Sequence, residues 1–390
     1  MKKLIRIHNL KIKVTENEEV LAKKIKQKLH VQENYPYIIR KRSIDARNKK
    51  EIYYVYEIDV LAKNEDMILK KNKDLTKSIE EKYVFPYQNN NKECLSPIII
   101  GCGPAGLFCG YFLALAGFHP ILIDRGESIE KRVKTVEEFW ASGKLKENSN
   151  VQFGEGGAGT FSDGKLNTMI KDKKHLGASV LELFVKFGAP EEILYDSKPH
   201  IGTDLLQGVI KNMREEIIRL GGRFYYETTL TDIEIKENKL CQIEINHEHW
   251  IDCKNLVLAI GHSARDTFEL LLKRKVKLVP KPFAVGVRIE HSKDMINKSQ
   301  YGELKSVLPP ASYKLTYTTK QGRGVYTFCM CPGGYVVNSS SEKNHLVING
   351  MSNYQRESPN SNSAIIVTVT PKDFSFRWRK IPKKFRTKSL

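Results

Sequence analysis

The chain has 390 residues, of which 41% are hydrophobic, enough for two or three domains with full cores. This composition excludes a disulfide miniprotein, a disordered chain and a collagen-like repeat. The formal net charge of +19 raises nucleic acid or an anionic membrane as partners. However, residues 1–95 carry +8 and the last sixteen residues +7, which leaves +4 for the 279 residues between them. Charge therefore does not mark the bulk of the chain as a nucleic-acid binder.

The cysteine pattern and the N-terminus indicate a protein of the reducing cytoplasm. The seven cysteines are scattered and lack C-x-x-C pairs, unlike a secreted disulfide framework or a structural zinc site, so we expect no metal. The basic N-terminus has neither the apolar run nor the cleavage site of a signal peptide. Residues 97–123 are long and apolar enough to span a bilayer, but glycine and proline interrupt them, so we expect no membrane span.

Residues 1–87 are predicted to form a small N-terminal α+β domain with a β-α-β-β plan. Its elements are a strand, a basic helix and a two-strand hairpin: Leu4–Val14, Glu18–Leu29, Tyr37–Ile44 and Glu51–Leu61. The polar stretch Gln88–Glu93 follows as a linker. Four basic side chains of the N-terminal domain could contact phosphate, although solvated strand residues are the simpler interpretation: Arg40, Lys41, Arg42 and Arg47.

A glycine-rich turn follows the β-branched run Ile98–Ile100. The turn, Gly101-Cys102-Gly103-Pro104-Ala105-Gly106, leads into the apolar helix Leu107–Ala116 and a second β run, Ile121–Ile123. In a G-x-G-x-x-G turn the first glycine permits the tight turn, the second lets the backbone approach a pyrophosphate, and the third allows close helix–strand packing. The helix N-terminus would then offer free N–H groups and a positive dipole end to the phosphates.

An acidic residue stands where this motif needs one. Asp124 lies 18 residues past Gly106, at the end of the second strand, where a carboxylate can bind the two hydroxyls of an adenosine ribose without a 2′-phosphate. We therefore predict a dinucleotide-binding βαβ unit in which Pro104, Ala105 and Arg125 also lie beside the cofactor. The alternative is a glycine-rich turn in an ordinary α/β fold.

A second glycine-rich loop spans Gly154–Thr168 and contains five glycines with interleaved Thr, Ser, Asp and Lys. Such a loop brings backbone N–H groups close to an anion. After a nucleotide motif, it is predicted to place four residues near the pyrophosphate: Gly156, Gly157, Gly159 and Thr160. A flexible surface loop is the alternative. Lys165 in this loop is a candidate cation beside the cofactor, where it would stabilise a developing negative charge; a solvated loop lysine is an equal alternative.

The next elements favour FAD over NAD alone. A helix over Thr203–Leu220 precedes three strand-like runs interpreted as a meander: Arg223–Thr228, Leu230–Lys236 and Leu240–Asn246. A buried strand, Asn255–Gly261, then ends in Ala-x-Gly, which predicts Gly261 at the cofactor. This order is typical of FAD-binding domains, so we assign one to residues 96–280. His262 and Arg265 could meet the flavin or substrate, or cap the following helix.

Residues 281–374 are predicted to form a β-rich, substrate-side domain. Strand alternation would place Cys329 and Cys331 on one face and Met330 on the other. A redox role is one interpretation of the two cysteines, if one thiolate has a lowered pKa. Two buried structural cysteines are the other interpretation.

Three segments carry a resemblance to a family: Asn150–Thr168, Lys281–His291 and Phe328–Gly334. Over residues 1–374 the chain resembles bacterial FAD-dependent dehydrogenases, also called NAD(P)/FAD-dependent oxidoreductases. The resemblance implies an α/β fold: an FAD-binding Rossmann-like domain of the two-dinucleotide type, a β-rich substrate domain and a small N-terminal α+β domain. It further implies FAD as cofactor, NAD(P)H as candidate reductant and a small-molecule substrate that the family name does not specify.

The C-terminus departs from that family. Flavoproteins of this type usually close the flavin site with a late Gly-rich strand–helix motif, and none follows Phe374. Residues 375–390 are instead basic, and we interpret them as a non-native ending of a truncated gene; a genuine basic tail is the alternative. An RNA-associated, tRNA-modifying flavoprotein and an inactive truncated product are the alternatives to the oxidoreductase. Charge distribution disfavours the RNA alternative.

Overall fold

The computed structural model describes residues 3–17, 19–90, 95–166 and 171–373, which form a mixed α/β fold with several sheets. The chain divides into two compact units. Unit 1 comprises residues 1–84, 165–201 and 292–312; unit 2 comprises residues 85–164, 202–291 and 313–390. Several residues of the sequence predictions lie outside the described ranges: Glu18, Cys94, Asn167, Thr168 and the whole of the basic segment 375–390.

The described residues contain α-helices and β-strands in the following bounds. The helices are α1 (Glu19–Leu29), α2 (Glu65–Lys71), α3 (Pro104–Leu115), α4 (Ile129–Ser142), α5 (Leu176–Lys186), α6 (Thr203–Arg219), α7 (Arg265–Lys273) and α8 (Lys293–Tyr301). The first strands are β1 (Lys3–Lys13), β2 (Tyr37–Asp45), β3 (Tyr53–Val60), β4 (Thr76–Ile79), β5 (Ile98–Ile100), β6 (Ile121–Ile123), β7 (Arg223–Tyr225), β8 (Leu230–Lys236) and β9 (Lys239–Ile245). The remaining strands are β10 (His249–Asp252), β11 (Leu256–Leu258), β12 (Phe283–Ser292), β13 (Thr316–Thr318), β14 (Gly324–Cys331), β15 (Tyr335–Asn338), β16 (Ile348–Met351) and β17 (Asn360–Val369).

Unit 1 is built on an antiparallel sheet in the order β2-β3-β1-β4. Helix α1 buries Leu21, Ile25 and Leu29, which recur every four residues and therefore share one face. These side chains share a core with Ile5 and Ile58 of the sheet. The first four predicted elements are confirmed as β1, α1, β2 and β3, but the predicted plan lacks α2 and β4, and β4 pairs with β1 at the edge of the same sheet.

Unit 2 contains a parallel sheet in the order β11-β5-β6-β7. Its strand β5 is buried along its whole length, as a central parallel strand covered on both faces should be. Helix α3 starts at Pro104, because the fixed φ of proline suits the first helical position. It ends before Gly117, whose φ of +80° ends the helical conformation. The predicted βαβ unit is confirmed, and no helix within the described ranges is long and apolar enough to cross a bilayer.

The predicted meander is wrong in its membership. The strand within Arg223–Thr228 is β7, which pairs in parallel with β6 and so extends the parallel sheet. The antiparallel meander consists of β8, β9 and β10, so its third strand is His249–Asp252. Apolar alternation within a short run does not reveal its partner, and this is why the sequence did not separate the two sheets. Strand β11, predicted to be buried, lies at a sheet edge, and its Leu258 is 38% exposed.

The last sheet of unit 2 has the order β12-β17-β14-β13, beside the hairpin β15-β16. Pairing of β14 with β17 slips between Phe328 and Cys331, where β14 carries one residue more than its partner. Cys329 lies in this bulge with a φ of +45°. The prediction that Cys329 and Cys331 share a face is therefore wrong: Cys331 and Met330 are buried, and Cys329 is exposed.

Candidate functional site

A cavity of about 440 Å³ lies in unit 2, at the carboxyl ends of the parallel strands. Its walls are the turn after β5, the residues after β6, the loop 152–158, residues 228–230 after β7, and residues 258–264 after β11. Open α/β sheets bind ligands at this edge, because the loops that leave the carboxyl ends form a crevice there. All of the lining residues lie between Ile100 and Leu271.

The turn between β5 and α3 fits only glycine at two of its positions. A Cβ on Gly106 would lie 1.8 Å from the carbonyl oxygen of Gly101, so α3 packs directly on the turn. Gly101 has a φ of +101°, and its Cβ would lie 2.4 Å from the carbonyl oxygen of Ala259. At Gly103 the nearest atom to a Cβ would be the Cα of Gly157, at 3.7 Å, so this glycine leaves open space. The roles that the sequence assigned to Gly101 and Gly106 match these close approaches.

Asp124 organises the turn from the end of β6. Its Oδ2 accepts the N–H of Cys102 at 2.6 Å, and its Oδ1 accepts the N–H of Gly126 at 2.8 Å. The side chain lines the cavity but is only 5% exposed. The thiol of Cys102 is fully buried beneath the turn, and burial raises its pKa well above the ordinary value. Cys102 is therefore an uncharged packing residue.

Arg125 and Phe153 form a stacked pair in the cavity wall. The Arg125 guanidinium lies 4.7 Å from the centre of the Phe153 ring. It also donates to both carboxylate oxygens of Asp266 at 2.9 Å and to the hydroxyl of Thr267 at 3.1 Å. These bonds fix the cation at the start of α7. The pair offers a flat, amphipathic surface at the cavity.

The loop 150–157 is anchored from behind by two arginines. Arg132 of α4 donates to backbone carbonyls of this loop, and Arg214 of α6 donates to the Glu155 carboxylate at 2.7 Å. Glu155 also accepts the N–H of Ile129 at 2.7 Å and is fully buried. Burial raises the pKa of Glu155, whereas the charge of Arg214 lowers it. The loop therefore presents its backbone, and not its acidic side chain, to the cavity.

The segment after β11 closes another side of the cavity. Gly261, His262 and Ser263 all line it, and the Ser263 hydroxyl donates to the Gln152 side chain. Arg265 does not line it, because it is the first residue of α7 and pairs with Glu342 at 2.7 Å. Of the two candidates in this segment, only His262 is at the cavity.

The structure gathers eight of the predicted cofactor residues around the cavity: Gly101, Gly103, Pro104, Ala105, Asp124, Arg125, Gly157 and Gly261. Four others lie outside its lining: Gly106, Gly156, Gly159 and Thr160. The Gly156 N–H is bonded to the Cys102 carbonyl at 2.8 Å, and Thr160 is fully buried. Lys165 belongs to unit 1, where it forms an isolated β-bridge with His200.

Cys331 belongs to a buried polar cluster around Asp163. The Asp163 carboxylate pairs with Arg356 at 2.6 Å and accepts the Ser352 hydroxyl at 2.5 Å and the Cys331 thiol at 3.5 Å. Neither Cys329 nor Cys331 is in a disulfide or lines the cavity. Cys331 is thus held as a packing and hydrogen-bonding group. No group of three or more His, Cys, Asp or Glu side chains is arranged for a metal within the described parts of the chain.

Several cavity residues were not found from the sequence: Gln152, Phe153, Thr228, Thr229, Ser263 and Thr267. These residues lie after a parallel strand, in the loop 150–157 or in the first turn of α7, and the fold brings all of them to the same edge of the sheet. Thr228 and Thr229 come just after β7, so assigning β7 to the parallel sheet would have predicted them. Arg132 was also missed, although it stands among apolar side chains at helical spacing in α4.

Comparison with known sequences places the chain in a family. It is 48% identical over 377 residues to an uncharacterized protein of Clostridium beijerinckii, an alignment that covers 95% of this chain and 70% of that protein. The chain belongs to the family of this Clostridium protein. Residues 282–384 match a family model described as "FAD-dependent protein, C-terminal domain-like", and residues 4–61 match a domain of unknown function, DUF8436. The first match supports an FAD-dependent protein family and FAD as the cofactor, as the sequence resemblance implies.

Solved structures give only distant likenesses. A mutant of the halogenase PltM in complex with FAD is 11% identical, with a TM-score of 0.37, and the match covers 75% of this chain and 54% of that one. THI4 of Thermovibrio ammonificans is 20% identical, with a TM-score of 0.32, over 47% of this chain and 64% of that one. At this distance they carry no argument about the site.

Proposed function

We propose that this protein is an FAD-dependent oxidoreductase that binds the adenosine diphosphate half of FAD in the unit 2 cavity. One observation carries the proposal: the glycine turn and the start of α3 open onto a cavity at the carboxyl ends of the parallel strands. Gly103 and Gly157 bring bare backbone to that cavity. The FAD-dependent family model that matches residues 282–384 supports the same cofactor.

The residues present fit a dinucleotide. The N–H groups at the start of α3 and the helix dipole suit the diphosphate. Each oxygen of Asp124 accepts one backbone N–H and keeps a lone pair for a ribose hydroxyl. The stacked pair of Arg125 and Phe153 offers its face to an adenine ring. When bound, FAD would supply hydride or electron transfer, while the chain binds, orients and excludes water.

We extend the proposal to a dehydrogenase that acts on a small-molecule substrate, with NADH or NADPH as reductant. Lys165 and Cys329 stay candidates for contact with substrate. Of the two cysteines, Cys329 is the one with an exposed side chain, whereas Cys331 is fully buried beside Asp163. Cys329 is therefore the preferred candidate of the pair.

The pairing of basic side chains in unit 1 supports a small-molecule substrate over RNA. Arg40 bonds Asp59, Arg42 bonds Asp196, and Arg47 bonds Asp45, each at 2.7–2.8 Å. A guanidinium that already has a carboxylate partner gains less from a phosphate, because the existing ion pair must first be broken. We therefore propose that nucleic acid is not a partner.

The variant Gly103→Ala tests the proposed cofactor site. An alanine here fits the protein, since its Cβ meets nothing closer than 3.7 Å and the φ of −70° suits any residue. The methyl group would nevertheless stand between the start of α3 and a diphosphate. We expect the dissociation constant for FAD, measured by fluorescence quenching, to rise at least tenfold, or about 1.4 kcal/mol.

Gly208→Ala is the matched control, because a Cβ on this α6 residue meets nothing within 4 Å. It should leave FAD affinity unchanged. Equal affinity of Gly103→Ala and the parent chain, or no binding of FAD by the parent chain, would contradict the proposed site. Anaerobic titration with NADH and with NADPH then assigns the reductant, by which of the two bleaches the flavin absorbance.

A further inference from the structure

A fully buried arginine stands directly behind the cavity wall. Arg132 lies on the inner face of α4 and is 0% exposed, the largest fully buried side chain among the described residues. Its guanidinium stacks 4.9 Å from the centre of the Phe161 ring. No carboxylate of the described residues lies within ion-pair distance of it. A buried charge normally has a carboxylate partner.

Backbone carbonyls take the place of that partner. The Arg132 Nε donates to the Asn150 carbonyl at 2.9 Å, and Nη2 donates to the Val151 carbonyl at 3.0 Å. Nη1 contacts three more carbonyl oxygens, those of Gly154 at 3.3 Å, Glu155 at 2.6 Å and Gly157 at 3.0 Å. One guanidinium thus collects five carbonyl oxygens from a single loop. The loop is wrapped around the cation.

This wrapping fixes the direction of the peptide groups. In a trans peptide the N–H points away from the C=O, and every peptide bond in the described residues is trans. Because the Gly157 carbonyl points at Arg132, the N–H of Ala158 points to the opposite side. Ala158 lines the cavity, and its N–H has no acceptor among the described residues. It is therefore free to bind a ligand.

The same peptide group lies against the glycine turn. A Cβ on Gly157 would be 3.1 Å from the Cα of Gly103 and 3.2 Å from the Cδ of Pro104. Gly157 also has a φ of +65°, which favours glycine. The Ala158 N–H is consequently next to the start of α3. The Ala158 N–H and the N–H groups at the start of α3 therefore lie at one region of the cavity.

We propose that Arg132 is a positioning residue that turns the Ala158 N–H into the cavity, where it binds the diphosphate of an adenine dinucleotide. The proposal rests on the proposed function, because it names a new residue for the same cofactor site. Arg132 acts through the loop backbone and touches no ligand itself. Its role requires the planar fork of a guanidinium, since the single ammonium of a lysine has three donors and cannot hold five carbonyls.

The charge of Arg132 persists at neutral pH. Burial lowers its pKa to about 10, and the charges of Asp124 and Glu155 oppose that shift. A lysine at this position would keep the positive charge while losing the fork. Arg132→Lys therefore separates loop orientation from simple electrostatic attraction.

Binding of ADP and of adenosine to the full chain tests the proposal. ADP carries the diphosphate and adenosine does not, so their affinity ratio reports the phosphate contact alone. We expect Arg132→Lys to weaken ADP binding about tenfold and adenosine binding less than twofold, measured by calorimetry. A purely structural role would weaken both ligands together. Arg219→Lys is the matched control, because it makes the same change at an exposed α6 residue.

Ala158→Pro is the second variant, for the case that Arg132→Lys fails to fold. Proline removes the N–H, and the first position of the short 3₁₀ turn Ala158–Phe161 tolerates its ring. We expect the same loss of ADP over adenosine selectivity, with an unchanged circular dichroism spectrum. If the parent chain shows no preference for ADP, the proposed function itself fails. If the parent prefers ADP but the folded variants keep its ratio, the positioning role is wrong and the cofactor site stands.

Discussion

The turn between β5 and α3 and the bulge at the end of β14 are two tight backbone conformations in the same unit. Glycines occupy the positions of the turn that lack room, and the helix packs on them without strain. The bulge instead places Cys329 at a φ of +45°, a conformation that side chains other than glycine rarely adopt. The turn was predicted residue by residue, whereas the bulge was not. Steric need leaves a glycine signature in a sequence, and a strained non-glycine residue leaves none.

The largest expected effect is a loss of folding on Gly106→Ala. The added Cβ would lie 1.8 Å from the Gly101 carbonyl oxygen, which is backbone and cannot rotate away. Forcing α3 off the turn should cost at least about 3 kcal/mol of unfolding free energy. Denaturant unfolding measures this, with Gly208→Ala as control. If Gly106→Ala were as stable as Gly103→Ala, the contrast between tight and open positions of the turn would be lost.

The anchoring of the loop 150–157 should stabilise the protein less in acid. Its anchor Arg214 bonds Glu130 and lowers the pKa of that carboxyl to about 2. A lowered pKa adds stability above the ordinary pKa near 4.5, and this stability is lost as the pH falls towards 2. Because Glu130 is about half exposed and solvent screens its charge, we expect the pair with Arg214 to contribute less than about 1 kcal/mol of unfolding free energy.

Glu130→Gln is the variant that checks this. It should lower thermal stability slightly at pH 7, where the glutamine lacks the charge that binds Arg214, and match the parent chain near pH 2, so that the fall between pH 5 and pH 2 flattens. The exposed pair of Lys211 and Glu215 on α6 provides the control, because Glu215→Gln removes a solvated partner only. If thermal stability fell equally steeply between pH 5 and pH 2 in the parent chain and in Glu130→Gln, the ion pair of Arg214 with Glu130 would not contribute to that fall.

The sequence was sufficient for the parts of the site that follow from local chemistry. The glycines form the turn, Pro104 starts α3 and Asp124 ends β6, all within one βαβ unit, so their spacing predicted them. The second half of the cavity comes from Phe153, Thr228 and Ser263, which only the sheet order brings together. Arg132 could have been found from the sequence, because it stands on the same helical face as Val136, where an apolar residue is the norm.

The smallest expected effect is a gain in stability on Cys329→Gly. Glycine adopts a φ of +45° without steric cost, so relief of strain should outweigh the entropy of the added glycine by about 0.5 kcal/mol. Cys241→Gly is the matched control, since Cys241 lies in β9 outside the left-handed region and should lose stability. Thermal unfolding of both variants decides the sign. If both variants lost stability, Cys329 would have ordinary strand geometry. Cys329 and Cys331 would then share one face of β14, as the sequence predicts.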